Sequence, residues 1–124
     1  MFDISRVTHI GDCNKTDKPW GYEVLWAQTE SYVAKLMHIQ SGCRMSLQFH
    51  NTKEETIYVM RGELIVWENE DDDDYTGYPA GYVYHVKPGM VHRFGAPEKD
   101  DVMLIEVSTN HLDDVVRIKD DYKR

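Results

Sequence analysis

The sequence is poor in cysteine, proline and phenylalanine: 124 residues hold two, four and three of them. Cys13 and Cys43 stand thirty residues apart and form no C-x-x-C pair, so they read as reduced thiols, which rules out a disulfide scaffold or a thiolate metal cluster. Positive charge is also scarce. Lys and Arg total 14 against 22 Asp and Glu, a formal net charge of −8, which argues against nucleic acid or an anionic membrane as partner. Long hydrophobic runs are missing: no stretch approaches the ~20 apolar residues that span a bilayer. The first residues show no long apolar stretch and no small-residue cleavage site, so the expected location is the cytoplasm. The length suits one domain, taken as residues 1–124, with an N-terminal strand or arm over 1–17 and the main module over 18–124.

What the chain does have is short runs of Val, Ile, Tyr and Trp punctuated by Gly, Pro, Asn and Asp. The spacing predicts strands near 21–27, 31–39, 45–50, 55–61, 63–68, 82–86, 91–95 and 102–108. Breaks are expected at Ser41-Gly42, Asn51 to Lys53, Arg61-Gly62, Asp71 to Gly77, Lys87 to Gly89 and Ala96 to Asp101. Many short strands at this spacing indicate an all-β antiparallel sandwich or barrel. The acidic run Glu70 to Asp74 reads as a solvated hairpin loop, since it lacks the glycine and ligand spacing of a calcium loop. From Asp113 the tail is expected to be a short helix, capped by Asp113 or Asp114, or an extended segment.

The stretch Ser46 to Gly62 carries the chemistry. Residues two apart on a strand share a face, which puts Gln48 and His50 on one side. Glu55 has the parity of Ile57 and Val59 and is expected to face the interior, where a carboxylate needs a partner such as a metal ion. His92 follows the tight turn Lys87-Pro88-Gly89. Gln48, His50, Glu55 and His92 together offer an amide oxygen, two imidazoles and a carboxylate. Such a set would hold one divalent ion with open positions, zinc first, with manganese, nickel, cobalt or iron also compatible. His38 and His85 have the opposite parity and read as surface or interface residues.

These residues resemble the cupin superfamily. Its first motif runs glycine, five residues, His-x-His, three or four residues, Glu, six residues, glycine; here Gly42, Gln48-x-His50, Glu55 and Gly62 fall at those spacings. The second motif is matched more loosely by Gly81, Lys87-Pro88-Gly89, His92 and Ala96. The implied fold is a double-stranded β-helix, a small jelly-roll barrel with the metal inside. A narrower resemblance is to the cupin module of type II mannose-6-phosphate isomerases and mannose-1-phosphate guanylyltransferases. It rests on Lys18-Pro-Trp-Gly-Tyr-Glu23, on Ser46-Leu47-Gln48-Phe49-His50, in which Gln replaces the first cupin His, and on the terminal stretch Asp113 to Arg124. The chain departs from it at Asn51, Thr52 and Lys53, where the family carries histidine and arginine, and at Lys123. No glycine-rich nucleotidyltransferase signature occurs, which excludes guanylyl transfer.

The resemblance implies aldose–ketose isomerisation of a sugar phosphate through an enediol. That chemistry needs a Lewis acid, a base within reach of a carbon-bound proton and a cation for the phosphate. Lys35, with the parity of Met37 and Ile39, is expected near the metal. Glu106 alternates with Leu104 and is a candidate base. Arg117 matches the family's terminal arginine and would clamp phosphate or steady the enediolate, unless it serves as a salt bridge to Asp120 or Asp121. The alternatives are a non-catalytic sugar- or metal-binding cupin and another metal-dependent cupin enzyme such as a dioxygenase or lyase. Expected partners are a small sugar or sugar phosphate and a second copy of the chain, the homodimer contact falling on the aromatic-rich residues 1–27.

Overall fold

The computed structural model describes residues 4–122; residues 1–3 of the N-terminal arm, and Lys123 and Arg124 of the terminal motif, lie outside the described residues. After two 3₁₀ turns, Ile4–Arg6 and Ile10–Asp12, the chain forms eleven strands among the described residues. They are β1 (Asn14–Lys18), β2 (Gly21–Gln28), β3 (Val33–Ile39), β4 (Leu47–Phe49), β5 (Glu55–Arg61), β6 (Glu63–Trp67), β7 (Tyr75–Pro79), β8 (Val83–Val86), β9 (Arg93–Gly95), β10 (Val102–Ser108) and β11 (Val116–Lys119). All pairings are antiparallel. One sheet has the order β1-β2-β3-β10-β5-β8. Opposite it stand β7-β6-β9 and β11-β4, which isolated bridges at Arg44↔Gly95 and Gln48↔His92 tie into a second face. This is the expected all-β class, and the crossing order is that of a double-stranded β-helix.

Alternation builds the core. β5 reads buried, half-buried, buried, exposed, buried, exposed, exposed, so Glu55, Ile57 and Val59 point inward as their parity requires. Met37, Ile39, Ile57, Val59, Val102 and Leu104 of the large sheet meet Leu64, Val66 and Phe94 of the other, with Trp20 closing one side. Each such side chain contributes roughly 1.5–3 kcal/mol by leaving water. Trp20 is thus a packing residue, buried to 2 % exposure.

Gly62, between β5 and β6, adopts φ +82°, and a Cβ there would lie 2.3 Å from the backbone oxygen of Asp101. Both the left-handed conformation and the close approach demand glycine, which explains its fixed place in the motif.

Three strands lie outside the runs read from the hydrophobic pattern: β1, at the end of the segment expected as an N-terminal strand or arm, β7, and β11 in the tail. β1 is polar throughout and almost wholly exposed, so no apolar alternation marks it; it exists because its backbone pairs with β2 at the sheet edge. β7 holds Gly77 and ends at Pro79, both turn signals in the sequence. It too is an edge strand, where proline costs no ladder bond, and a Cβ at Gly77 would press on the Glu63 carboxylate at 2.9 Å. The tail is extended and not helical. Asp114, expected to cap a helix, spends its carboxylate on another loop, and β11 pairs with β4. The acidic run does form the β6–β7 turn, with Asp72 ion-paired to Arg44 at 3.0 Å.

Candidate functional site

Three strand ends converge at one end of the sandwich. His50 follows β4, Glu55 opens β5, and His92 precedes β9. The three are 2 %, 3 % and 1 % exposed, and one ligand atom from each lies within 4.8 Å of the others. Glu55 Oε1 is 3.2 Å from His92 Nε2 and 3.6 Å from His50 Nε2.

The tautomers are set from behind. His50 Nδ1 lies 2.5 Å from the Asp114 carbonyl oxygen, and His92 Nδ1 lies 3.0 Å from that of Met90. A carbonyl only accepts, so each Nδ1 carries a hydrogen and each Nε2 presents a lone pair inward. Both Nε2 atoms are buried with no hydrogen-bond partner. Two lone pairs and a carboxylate oxygen facing one another repel unless positive charge sits between them. The edge of a tetrahedron of ligands about zinc is about 3.3 Å, from metal–ligand bonds of about 2.0–2.1 Å. The observed 3.2 and 3.6 Å fit such a centre. A proton is the other possible occupant. Although burial opposes it, the facing Glu55 carboxylate raises the His50 pKa above its usual 6.5. The two imidazoles and Lys53 hold the Glu55 carboxyl far below the usual range in spite of its own burial.

Gln48 lines the same cavity as His50, but its Oε1 accepts a hydrogen bond from Ser46 Oγ at 2.8 Å. His50, Glu55 and His92 form a His-Glu-His group, and the Gln48 amide oxygen beside it keeps a second lone pair that the Ser46 hydrogen bond does not use.

The cavity next to these residues has a volume of about 120 Å³, and Lys35, Glu106 and Arg117 all line it, as do Lys18 and Lys53. Glu106 stands opposite Lys35 in the β10–β3 ladder. Burial first, and then the Glu55 charge, push the Glu106 carboxyl up to about 7 against the pull of Lys53 and Lys35. Lys35 Nζ is 3.1 Å from Glu23 Oε1, which Lys18 shares at 3.8 Å. Arg117 is exposed at the rim, and the salt bridge considered for it with Asp121 belongs instead to Arg44, at 2.6 Å, and Arg93, at 3.7 Å. A second pocket shares Lys18, Glu23, Lys35 and Leu112 and continues the cavity outward.

Sequence reasoning missed Lys53 and Asp114. Lys53 is 6 % exposed, with its Nζ 3.0 Å from Glu55 Oε2 and 3.3 Å from Glu106 Oε2. Burial alone would lower its pKa; the two carboxylates raise it, so it stays charged. The loop 51–53 is pinned because Asp114 accepts hydrogen bonds from the backbone N–H groups of Asn51, Thr52 and Lys53 at 2.7–3.0 Å. Those three bonds bring the Asp114 carboxyl down to about 2. An Asp-Asp pair in a tail carried no signal for this role. His38 is half-buried and pairs with Asp101 at 2.7 Å, and His85 is exposed beside Glu54; neither reaches the site.

The model of the Cupin domain family matches residues 35–108. The xanthan biosynthesis protein XanB of two strains of Xanthomonas campestris pv. campestris is 28 % identical over 120 residues, covering 89 % of this chain and 24 % of the relative. The chain thus spans about a quarter of the length of these relatives. A conserved Klebsiella pneumoniae protein with a double-stranded β-helix domain superposes with TM-score 0.73 at 17 % identity, covering 90 % of this chain and 96 % of that one. The polyketide cyclase RemF of Streptomyces resistomycificus gives 0.74 at 14 % identity, covering 96 % and 87 %. Both structures share the fold. No helix among the described residues is long and apolar enough to cross a membrane.

Proposed function

The chain belongs to the cupin family, and we propose that within it the chain is a metal-dependent sugar-phosphate isomerase of the phosphomannose isomerase type. The observation that carries this reading is a His-Glu-His group whose His50 lines a cavity with four cations, Lys18, Lys35, Lys53 and Arg117, in a protein of net charge −8. Two carboxylates, Glu23 and Glu106, line the same cavity, so its lining carries a surplus of positive charge and suits an anionic substrate. The partial match to proteins of xanthan biosynthesis is in keeping with a carbohydrate substrate.

His50, Glu55 and His92 would hold one divalent ion. That ion would supply Lewis acidity toward a sugar carbonyl and its developing oxyanion. Arg117 at the rim and Lys35 inside it bind the phosphate. Glu106 takes the carbon-bound proton from C2 and returns it to C1, while the hydroxyl proton moves from O2 to O1. Leu112 and Val115 of the tail add apolar lining to the same cavity.

The test is a coupled assay with mannose 6-phosphate after loading with zinc, manganese, cobalt, nickel or iron. Turnover is expected with at least one. Lys35→Ala and Arg117→Ala are each expected to raise KM about tenfold with kcat changed less, since the lost contact holds the phosphate in ground and transition state alike. Absence of turnover with every metal would sink the isomerase. Tight binding without turnover would favour a non-catalytic sugar-binding cupin, a reading supported by the Lys53–Glu106 ion pair that ties up the base.

We also propose a homodimer. On the outer face of the large sheet, ladder pairing lines up Val24, Leu36, Ile105, Tyr58 and Val83 in one apolar row across five strands. Tyr58 and Val83 are exposed, as are Ile4, Val7, Ile10 and Trp26 in the N-terminal segment. Sedimentation at the monomer mass would refute this.

A further inference from the structure

Glu55 divides its two oxygens between different partners. Oε1 faces His50 and His92, whereas Oε2 is 3.0 Å from the ammonium of Lys53. The same ammonium is 3.3 Å from Glu106 Oε2, a buried oxygen with no hydrogen-bond partner. Lys53 itself has little freedom, since its backbone N–H donates to Asp114 Oδ2 at 2.8 Å and its side chain is 8 % exposed.

We propose that Lys53 is a positioning residue that sets which metal the centre accepts. By holding Glu55 Oε2, it leaves Glu55 a single oxygen for the ion. By holding Glu106, it keeps a second carboxylate off the ion. The donor set is then two imidazoles and one carboxylate oxygen, which suits zinc. Without the ammonium, Glu55 becomes free to bind through both oxygens and Glu106 free to turn toward the ion. An oxygen-rich site of higher charge and coordination number suits manganese better. This inference rests only on the metal centre of the proposed function and not on its substrate.

The experiment uses the whole chain and three variants, Lys53→Met, Glu106→Gln and the two combined, with folding checked by circular dichroism. Zinc and manganese dissociation constants are measured by competition with a chelator, and the visible absorption of bound cobalt reports coordination number. In Lys53→Met the preference for zinc over manganese is expected to fall about tenfold or more, as changes around metal ligands typically do, and the cobalt bands to weaken as coordination number rises. Adding Glu106→Gln should restore much of the preference, because an amide is a poorer ligand. Glu106→Gln alone should leave preference and spectrum as in the wild type, and Lys53→Gln, which removes the charge but keeps a polar side chain, takes the place of Lys53→Met should that variant fail to fold. Unchanged preference and spectrum in a folded Lys53→Met overturn the role of Lys53. So does a change in either for Glu106→Gln alone, which would mean that Glu106 already touches the ion. A wild-type chain that takes up none of the three metals would overturn the metal centre itself, a result distinct from both.

Discussion

Replacing Glu55 by glutamine is expected to lower affinity for a divalent ion at least 100-fold, about 2.7 kcal/mol or more, and with it to abolish metal-dependent turnover. The side chain keeps its volume, so the loss comes from charge. Glu55 is the only carboxylate in the three-residue group. It faces both imidazole Nε2 atoms at 3.2 and 3.6 Å, where a neutral amide supplies no charge in its place. Glu54→Gln is the control, since Glu54 is exposed and contacts His85. Elemental analysis after dialysis reads the result; equal metal in the Glu55 variant and wild type would remove the centre from consideration. Acidification should act the same way on the wild type. An ion needs Nε2 of His50 unprotonated, and the His50 pKa is raised above 6.5, so proton competition begins above that pH and metal affinity falls as pH drops through it.

The second large effect concerns the floor of the site. Phe94 of β9 is 2 % exposed and packs edge-on to Tyr84, with ring centroids 5.8 Å apart, and against His92 at 5.2 Å. Phe94→Ala removes its contribution to burial and leaves a cavity between the two sheets, a loss of about 3–5 kcal/mol. For a domain of this size that corresponds to a fall of roughly 10–20 °C in melting temperature. Because the His92 ring rests on Phe94, metal affinity should fall as well, while Tyr82→Ala on the surface should alter neither. A melting temperature within a few degrees of wild type would show that the sheets close over the gap.

Some of this could be read from the sequence because it is local. A strand's period of two sent Glu55, Lys35 and Glu106 inward. Glycine spacing marked Gly62, where φ is +82°. The resemblance to the two cupin motifs pointed to His50, Glu55 and His92 as a set, although β6, β7 and β8 lie between the last two. β7 escaped notice, and β1 was expected only within an N-terminal strand or arm, because edge strands need a backbone partner and no apolar face.

By itself, then, the sequence determined an acidic all-β domain of the cupin kind and pointed to His50, Glu55 and His92, because strand parity and the family's motif spacing are both written in the order of residues. Only the tertiary structure decided how those ligands are held. The tautomer of His50 depends on the Asp114 carbonyl, 64 positions away in the chain. Lys53 lies between Glu55 and Glu106 because β5 and β10 are neighbours in the sheet. Arg117 stands at the cavity rim because β11 pairs with β4. Each of these joins segments that the chain itself keeps far apart, so no local pattern of residues could record it.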